Sequence, residues 1–242
     1  HSITAETKID YLRYSNLRRS GYNHIHKRYT ITAITEHPLI VITLEQITEL
    51  IEHRRTIKPI DAGGEPNYLD KSIPQQTLEQ LLENANWAPT HGLTEPWRFT
   101  IFQDDARGNL ASKLSQTYTQ HLLPADFSQA KHDKLIGYAK HTSAAIALGM
   151  QRHVGKIPVE EEVIAVACAV QNLHLAATAA QLGGFWSTSP IYDLPEMRDY
   201  FGFAGSEDRC LGIFYLGYPK NQWPTRKRTT PGDITKKTNW RN

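Results

Sequence analysis

Four short stretches of this chain carry side chains that could do chemistry together. The first is Arg54-Arg55-Thr56, with Lys58 two residues on. Two guanidiniums and a hydroxyl side by side can grip a phosphate, because the arginine fork of donors matches phosphate oxygens. The same residues also read as a solvated basic helix end, favoured by the helix dipole alone. The second stretch runs from Trp87 through Ala88-Pro89-Thr90-His91-Gly92 to Glu95-Pro96-Trp97. Here Trp87 can flank a ligand or join the core, and His91 can face a site or be a solvated turn histidine. Trp97 reads as a core residue that locks the turn onto the strand it opens. The third is Gly183-Gly184-Phe185-Trp186-Ser187-Thr188. Paired glycines let a ligand approach the backbone closely, with the amides of Trp186, Ser187 and Thr188 as donors. Gly-Gly also ends helices where no ligand is near. The fourth is Arg226-Lys227-Arg228, which alone reads as a solvated charge run. Arginines at a helix end, followed by a loop of His, Thr and Trp, suit a planar, anionic ligand.

Several chemistries are absent. There is no GxGxxG at a strand-to-helix turn, no GxxxxGK[ST], no HExxH, no paired CxxC and no GxSxG elbow. His141 and His153 flank a strand and are not read as metal ligands, so no metal is expected. Glu160-Glu161-Glu162 reads as a favourable acidic helix start. A net charge of +2 is too small to imply a nucleic-acid or membrane surface. No apolar run approaches the ~20 residues of a membrane span. The two cysteines, Cys168 and Cys210, sit on apolar segments without metal spacing and read as reduced, buried thiols of a cytoplasmic protein.

The elements that must position these groups follow from periodicity. Residues 1–42 are locally basic and lack clear periodicity, which predicts an N-terminal arm; the domain proper is 43–242. Leu44, Ile47, Leu50 and Ile51 predict a helix over 44–54 that delivers Arg54 and Arg55 at its end. Residues 59–73 read as a loop, and Pro74 opens a second helix that stops at Pro89. A strand at 97–103, helices at 106–122 and 127–140, and a buried strand at 142–150 follow. The strongest helix spans 159–182, apolar over much of its circumference and ending at the Gly183-Gly184 stop. It demands burial on nearly every side, as a core helix or a subunit interface. A strand at 185–188, a helix at 193–201 and a strand at 210–217 complete an α+β class with a central, mostly antiparallel sheet.

Taken together, Arg54-Arg55-Thr56-x-Lys58, Ala88-Pro89-x-His91 with Pro96-Trp97, the Ala-rich helix running into Gly183-Gly184-Phe185-Trp186, and Arg226-x-Arg228 resemble the flavin-dependent nitroreductase family, over about 45 to 230. The resemblance implies an FMN-binding α+β homodimer with its active sites at the subunit interface. It assigns Arg54, Arg55, Thr56 and Lys58 to the flavin phosphate and ring edge, Trp87 and His91 to the ring surroundings, and Trp186, Ser187 and Thr188 to backbone contacts near N5 and O4. Arg226 and Arg228 return to the phosphate. Glu95 stands where the family has Gln, which puts that ring contact in doubt. The reaction implied is ping-pong: NADH or NADPH gives a hydride to flavin N5, and the electrons pass to a nitroaromatic, quinone or activated alkene. No protein nucleophile or base is needed, so no catalytic side chain is nominated. The rival reading is an FMN-binding redox sensor or flavin carrier without turnover; relatives that dehalogenate, desaturate or cleave flavin mark a further one.

Overall fold

The computed structural model describes residues 42–123, 125–225, 234 and 237–241. The expected arm, up to residue 41, lies outside them, as do Arg226 and Arg228. The described chain starts with a capping box. The Thr43 hydroxyl accepts from the Gln46 amide at 3.2 Å, and the Gln46 side chain accepts from the Thr43 amide at 2.9 Å. Such a cap contributes about 1 kcal/mol and sets the first turn of α1, Leu44–His53. Helix α1 is amphipathic, yet none of its residues is buried. Ile47 and Leu50 are half-buried, but Leu44 is 75% exposed and Ile51 50%, so part of its apolar side lacks a cover within the described residues.

Helix α2 (Gln75–Asn86) leads through the turn at 87–96 into β1, Trp97–Gln103. Helices α3 (Asp105–His121) and α4 (Gln129–Lys140) follow, then β2, Ala144–Met150. The long α5 (Val159–Ala179) precedes β3, Gly183–Ser187. A short 3-10 turn, α6 (Pro195–Phe201) and β4 (Arg209–Gly217) complete the order. The sheet is antiparallel throughout, in the order β1-β2-β4-β3, which agrees with the predicted class.

Helices cover both faces. Ala145, Ala147, Ile213 and Tyr215 point toward α3, α4 and α6, while Ala144, Ile146, Leu148, Phe214 and Leu216 point toward α2 and α5. A strand buried on both faces has no reason to alternate polar and apolar residues, and β2 is buried at all seven positions.

Helix α5 differs from its expected burial. Ala165, Val166, Ala169, Val170, Leu173, His174 and Ala177 form one buried stripe against the sheet. Ile164 is 61% exposed, and Val163, Ala167, Cys168 and Leu175 are half-buried. The chain therefore covers one side of α5 and leaves a second apolar side open. By length and composition α5 could also cross a bilayer, but half of its most apolar window is buried in the protein. Its stop differs too. The helix ends before the glycines, and Gln181 takes the left-handed conformation (φ 59°) that a helix end more often gives to glycine.

At the front of α5 the acidic run separates into two roles. Glu162 is fully buried: its carboxylate accepts from Arg152 Nη1 at 2.5 Å and from His153 Nδ1 at 2.8 Å. It pins the β2–α5 connection rather than decorating a solvated turn. Cys168 and Cys210 are free thiols, as expected, with Cys168 half-buried and Cys210 buried.

Candidate functional site

The first stretch leaves α1 in an extended conformation and lies along the outer edge of β3. Pro59 disfavours helix at the residue before it, so the chain stays extended to Lys58. Thr56 bridges to Gly184, and the Ile57 amide donates to the Gly184 carbonyl at 3.1 Å. The two carbonyls flanking that contact are held from the interior. His174 Nε2 donates to the Arg55 carbonyl at 3.0 Å, and the buried Tyr68 hydroxyl donates to the Ile57 carbonyl at 2.5 Å. With Ile57 buried, its neighbours Thr56 and Lys58 face outward.

The glycines belong to this clamp. A Cβ at Gly183 would come within 2.9 Å of the Tyr68 ring, and one at Gly184 within 2.7 Å of Phe214 and 2.9 Å of His174. Glycine is required here so that Tyr68 and His174 can reach the 55–57 backbone. That is a packing reason, distinct from both the ligand approach and the helix stop considered above.

Burial sets the state of His174. Desolvation, reinforced by the nearby Arg54 charge and opposed by the Arg55 carbonyl, lowers its pKa to about 4. It is a neutral donor at neutral pH, with its ring edge-on to Phe214.

Thr56 and Lys58 open onto a cavity of about 410 Å³. Asn67, Lys134, Tyr138 and Gln222 also line it. Lys58 Nζ sits 5.5 Å from the centre of the Phe185 ring, which packs edge-on against Tyr138. The segment after β4 forms the outer wall. Pro219 bridges to Tyr68, the Lys220 amide donates to the Asn67 carbonyl at 2.8 Å, and Trp223 stacks on His53 with its indole N–H donating to the His53 carbonyl at 2.7 Å. Pro224 still lines the cavity. Arg226 and Arg228 come next in sequence, outside the described residues.

The remaining predicted residues divide. Arg54 is half-buried at the end of α1, and its charge bears on His174. Arg55 turns back: its guanidinium donates to the Glu52 carbonyl at 2.5 Å and to the Arg54 carbonyl at 2.8 Å. It caps α1 from a half-buried position and does not line the cavity. Its Nε is buried with no hydrogen-bond partner among the described residues. Trp186 spends its indole N–H on the Leu211 carbonyl at 3.0 Å, beside a bulge in the β2–β4 ladder. Gly212 (φ 137°) leaves room for that indole, since a Cβ there would lie 2.4 Å from its nitrogen. Ser187 is buried and shares a hydrogen bond with the Tyr192 hydroxyl at 3.3 Å; Thr188 is exposed.

The turn with Trp87 and His91 lies elsewhere in the chain. Trp87 is 78% exposed and donates to Glu83. Trp97 is buried, donating to Asn86 Oδ1 at 2.9 Å, as its core reading required. Gly92, Leu93 and Glu95 all have positive φ (61°, 51° and 43°), which is strained at Leu93 and Glu95 and easy for the glycine. His91 pairs with Glu161 in the first turn of α5, whereas Arg55 is tied to His174, thirteen residues further along the same helix. At 1.5 Å per residue the two anchor points are roughly 20 Å apart. The structure thus brings Arg54, Thr56 and Lys58 together with β3, and leaves His91 at the far end of α5.

Sequence reasoning missed Tyr68, Lys134, His174 and Trp223. Among the described residues there is no cluster of His, Cys, Asp and Glu able to hold a metal.

Comparison with known proteins gives the family and the fold. The Nitroreductase family model matches residues 51–218. The Escherichia coli K12 protein YdjA, provisionally named an NAD(P)H nitroreductase, is 26% identical over 152 residues, covering 60% of this chain and 77% of YdjA. A nitroreductase-like family protein from Bacillus cereus superposes with a TM-score of 0.66 at 25% identity, covering 83% of this chain and 98% of that one. A Bacteroides fragilis nitroreductase with bound FMN shares the fold at a TM-score of 0.56 and 22% identity, over 77% of this chain and 95% of that one.

Proposed function

Since the chain belongs to the nitroreductase family, we propose that it is an FMN-dependent NAD(P)H oxidoreductase acting on small-molecule acceptors. The observation that carries this reading is the clamp at 54–58: buried groups take up its backbone and turn Thr56 and Lys58 into a cavity with a second lysine. That donor set fits the phosphate end of FMN, which needs cations and hydroxyl donors more than shape. Arg54, Thr56 and Lys58 would hold that end, with Arg226 and Arg228 joining from the tail, while Arg55 secures α1 beneath them. When bound, FMN supplies hydride exchange between NADH or NADPH and a nitroaromatic, quinone or activated-alkene acceptor.

The working unit is a homodimer, with each site completed across the interface. Three features support this: α1 with no buried residue, the open apolar side of α5 around Ile164, and the roughly 20 Å of α5 between Glu161, which holds His91, and His174, which holds the clamp. A second copy would cover the first two and would bring its Trp87, His91 and exposed Thr188 region to the first copy's clamp. The functional domain is 43–242, which contains the whole family match. The free thiols support a reducing, cytoplasmic setting.

The test is an anaerobic visible spectrum of the purified protein, before and after NADPH and then NADH. A flavin spectrum bleached by either nucleotide and restored by a nitroaromatic or a quinone is the expected result. A flavin that neither nucleotide bleaches would point to the sensor or carrier, and a colourless protein that takes up no FMN would overturn the assignment.

A further inference from the structure

One cation on the cavity wall comes from an element that none of the four chemistry-bearing stretches contains. We propose that Lys134, on α4, contacts the flavin phosphate and makes this protein select FMN over riboflavin; the proposal rests on the FMN reading above.

Lys134 precedes Tyr138 by one helical turn, so both side chains lie on the same side of α4, and both line the cavity that Thr56 and Lys58 open onto. Neither Lys58 nor Lys134 has an ion pair among the described residues. The carboxylates nearby are engaged otherwise. Asp61, on the same wall, accepts from the Gly63 and Glu65 amides at 2.8 and 3.0 Å. Asp133, next to Lys134, accepts from Gln129 Nε2 at 2.6 Å. Asn67 turns its amide N–H onto the Lys58 carbonyl at 3.1 Å, which fixes the loop that carries Lys58. Two lysines and one carboxylate, Asp61, line the cavity, so its charged lining is net positive. A doubly charged phosphate bound there gains charge-assisted hydrogen bonds from the two ammonium groups. Riboflavin, which lacks the phosphate, does not.

The experiment titrates FMN and riboflavin into full-length, flavin-stripped protein and follows flavin fluorescence, with Lys134→Gln and Lys134→Arg alongside the unmodified chain. The unmodified protein should bind FMN far more tightly than riboflavin. Lys134→Gln should lose about tenfold in FMN affinity, the size of one charge-assisted hydrogen bond, and hold riboflavin within about twofold. Lys134→Arg should restore FMN binding. Riboflavin affinity serves as the control for folding in each variant. An unchanged FMN affinity in Lys134→Gln would overturn the proposal, and so would an equal loss for both flavins, which would place Lys134 at the ring or in the fold. If the unmodified protein fails to discriminate between the two flavins, the phosphate reading of the cavity itself falls, and that result is separable from the variant's behaviour.

Discussion

Replacing His174 by glutamine should flatten a pH dependence that the unmodified protein shows on the acid side of neutrality. In the fold the imidazole is buried and its pKa is lowered to about 4, from an ordinary 6.5. The unfolded chain therefore takes up the proton first, and stability falls as pH drops through the window from 6.5 to 4. Linkage with those two values gives a loss of about 2 kcal/mol between pH 7 and pH 5, and about 3 kcal/mol by pH 4, from this residue alone. Other groups titrate over the same range, so the informative quantity is the gap between the two proteins. His174→Gln should be the less stable at pH 7, where the ring's packing on Phe214 is lost, and the gap should shrink by about 2 kcal/mol by pH 5. Urea denaturation at fixed protein concentration, at pH 7, 6 and 5, reads it directly. Flavin affinity should fall in the variant as well, because His174 holds the Arg55 carbonyl. Stability curves that run parallel from pH 7 to 5 would refute the reasoning, since they would mean that the buried ring does not resist protonation.

Three further expectations concern stability and assembly. Glu162→Ala should cost about 3 kcal/mol, the low end for breaking a buried ion pair, because Arg152 keeps carbonyl acceptors at His153 and Ile157. In a thermal melt that corresponds to a drop of roughly 6–12 °C, and a loss under 2 °C would contradict the pairing. Ile164→Asp, on the open side of α5, should shift the protein to monomer in size-exclusion chromatography with light scattering; an unaltered dimer would place the interface elsewhere. Leu93→Gly should raise stability by about 0.5–1 kcal/mol, because a left-handed, 82% exposed leucine gives up strain and little packing. A lower melting temperature would show that Leu93 is packed in the assembled protein.

Elements were more legible in the sequence than the groups they place. Every predicted helix and strand from 44 to 217 has a counterpart within a few residues, because periodicity and proline positions report on burial along a single segment. The stop of α5 was misplaced, since Gly183-Gly184 is the stronger local signal and only the fold shows that Gln181 takes the left-handed position. Arg55 was nominated for its guanidinium and Trp186 for its backbone amide, and neither nomination says where the side chain goes. Where a guanidinium or an indole N–H points depends on nearby carbonyls, here those of Glu52 and Leu211, and composition does not reveal them. His174 and Tyr68 escaped notice because each looks like one more residue on an apolar face or in a loop, while their partners are 119 and 11 residues away. Lys134 sits on a polar helix among other lysines, and only the neighbouring cavity distinguishes it.

The bridge between Thr56 and Gly184 has a consequence for how this protein tolerates change. β3 is an outer strand, and an uncovered strand edge is a template for pairing with another chain. Residues 56–57 occupy part of that edge. The stretch proposed to grip the phosphate is thereby also a guard against aggregation. An insertion or deletion between 54 and 58 would uncover sheet edge before it altered affinity, so its first symptom would be insolubility. Change in the proposed cofactor contacts is accordingly best tolerated as an exchange of side chains at fixed length, at Thr56, at Lys58, and from across the cavity at Lys134.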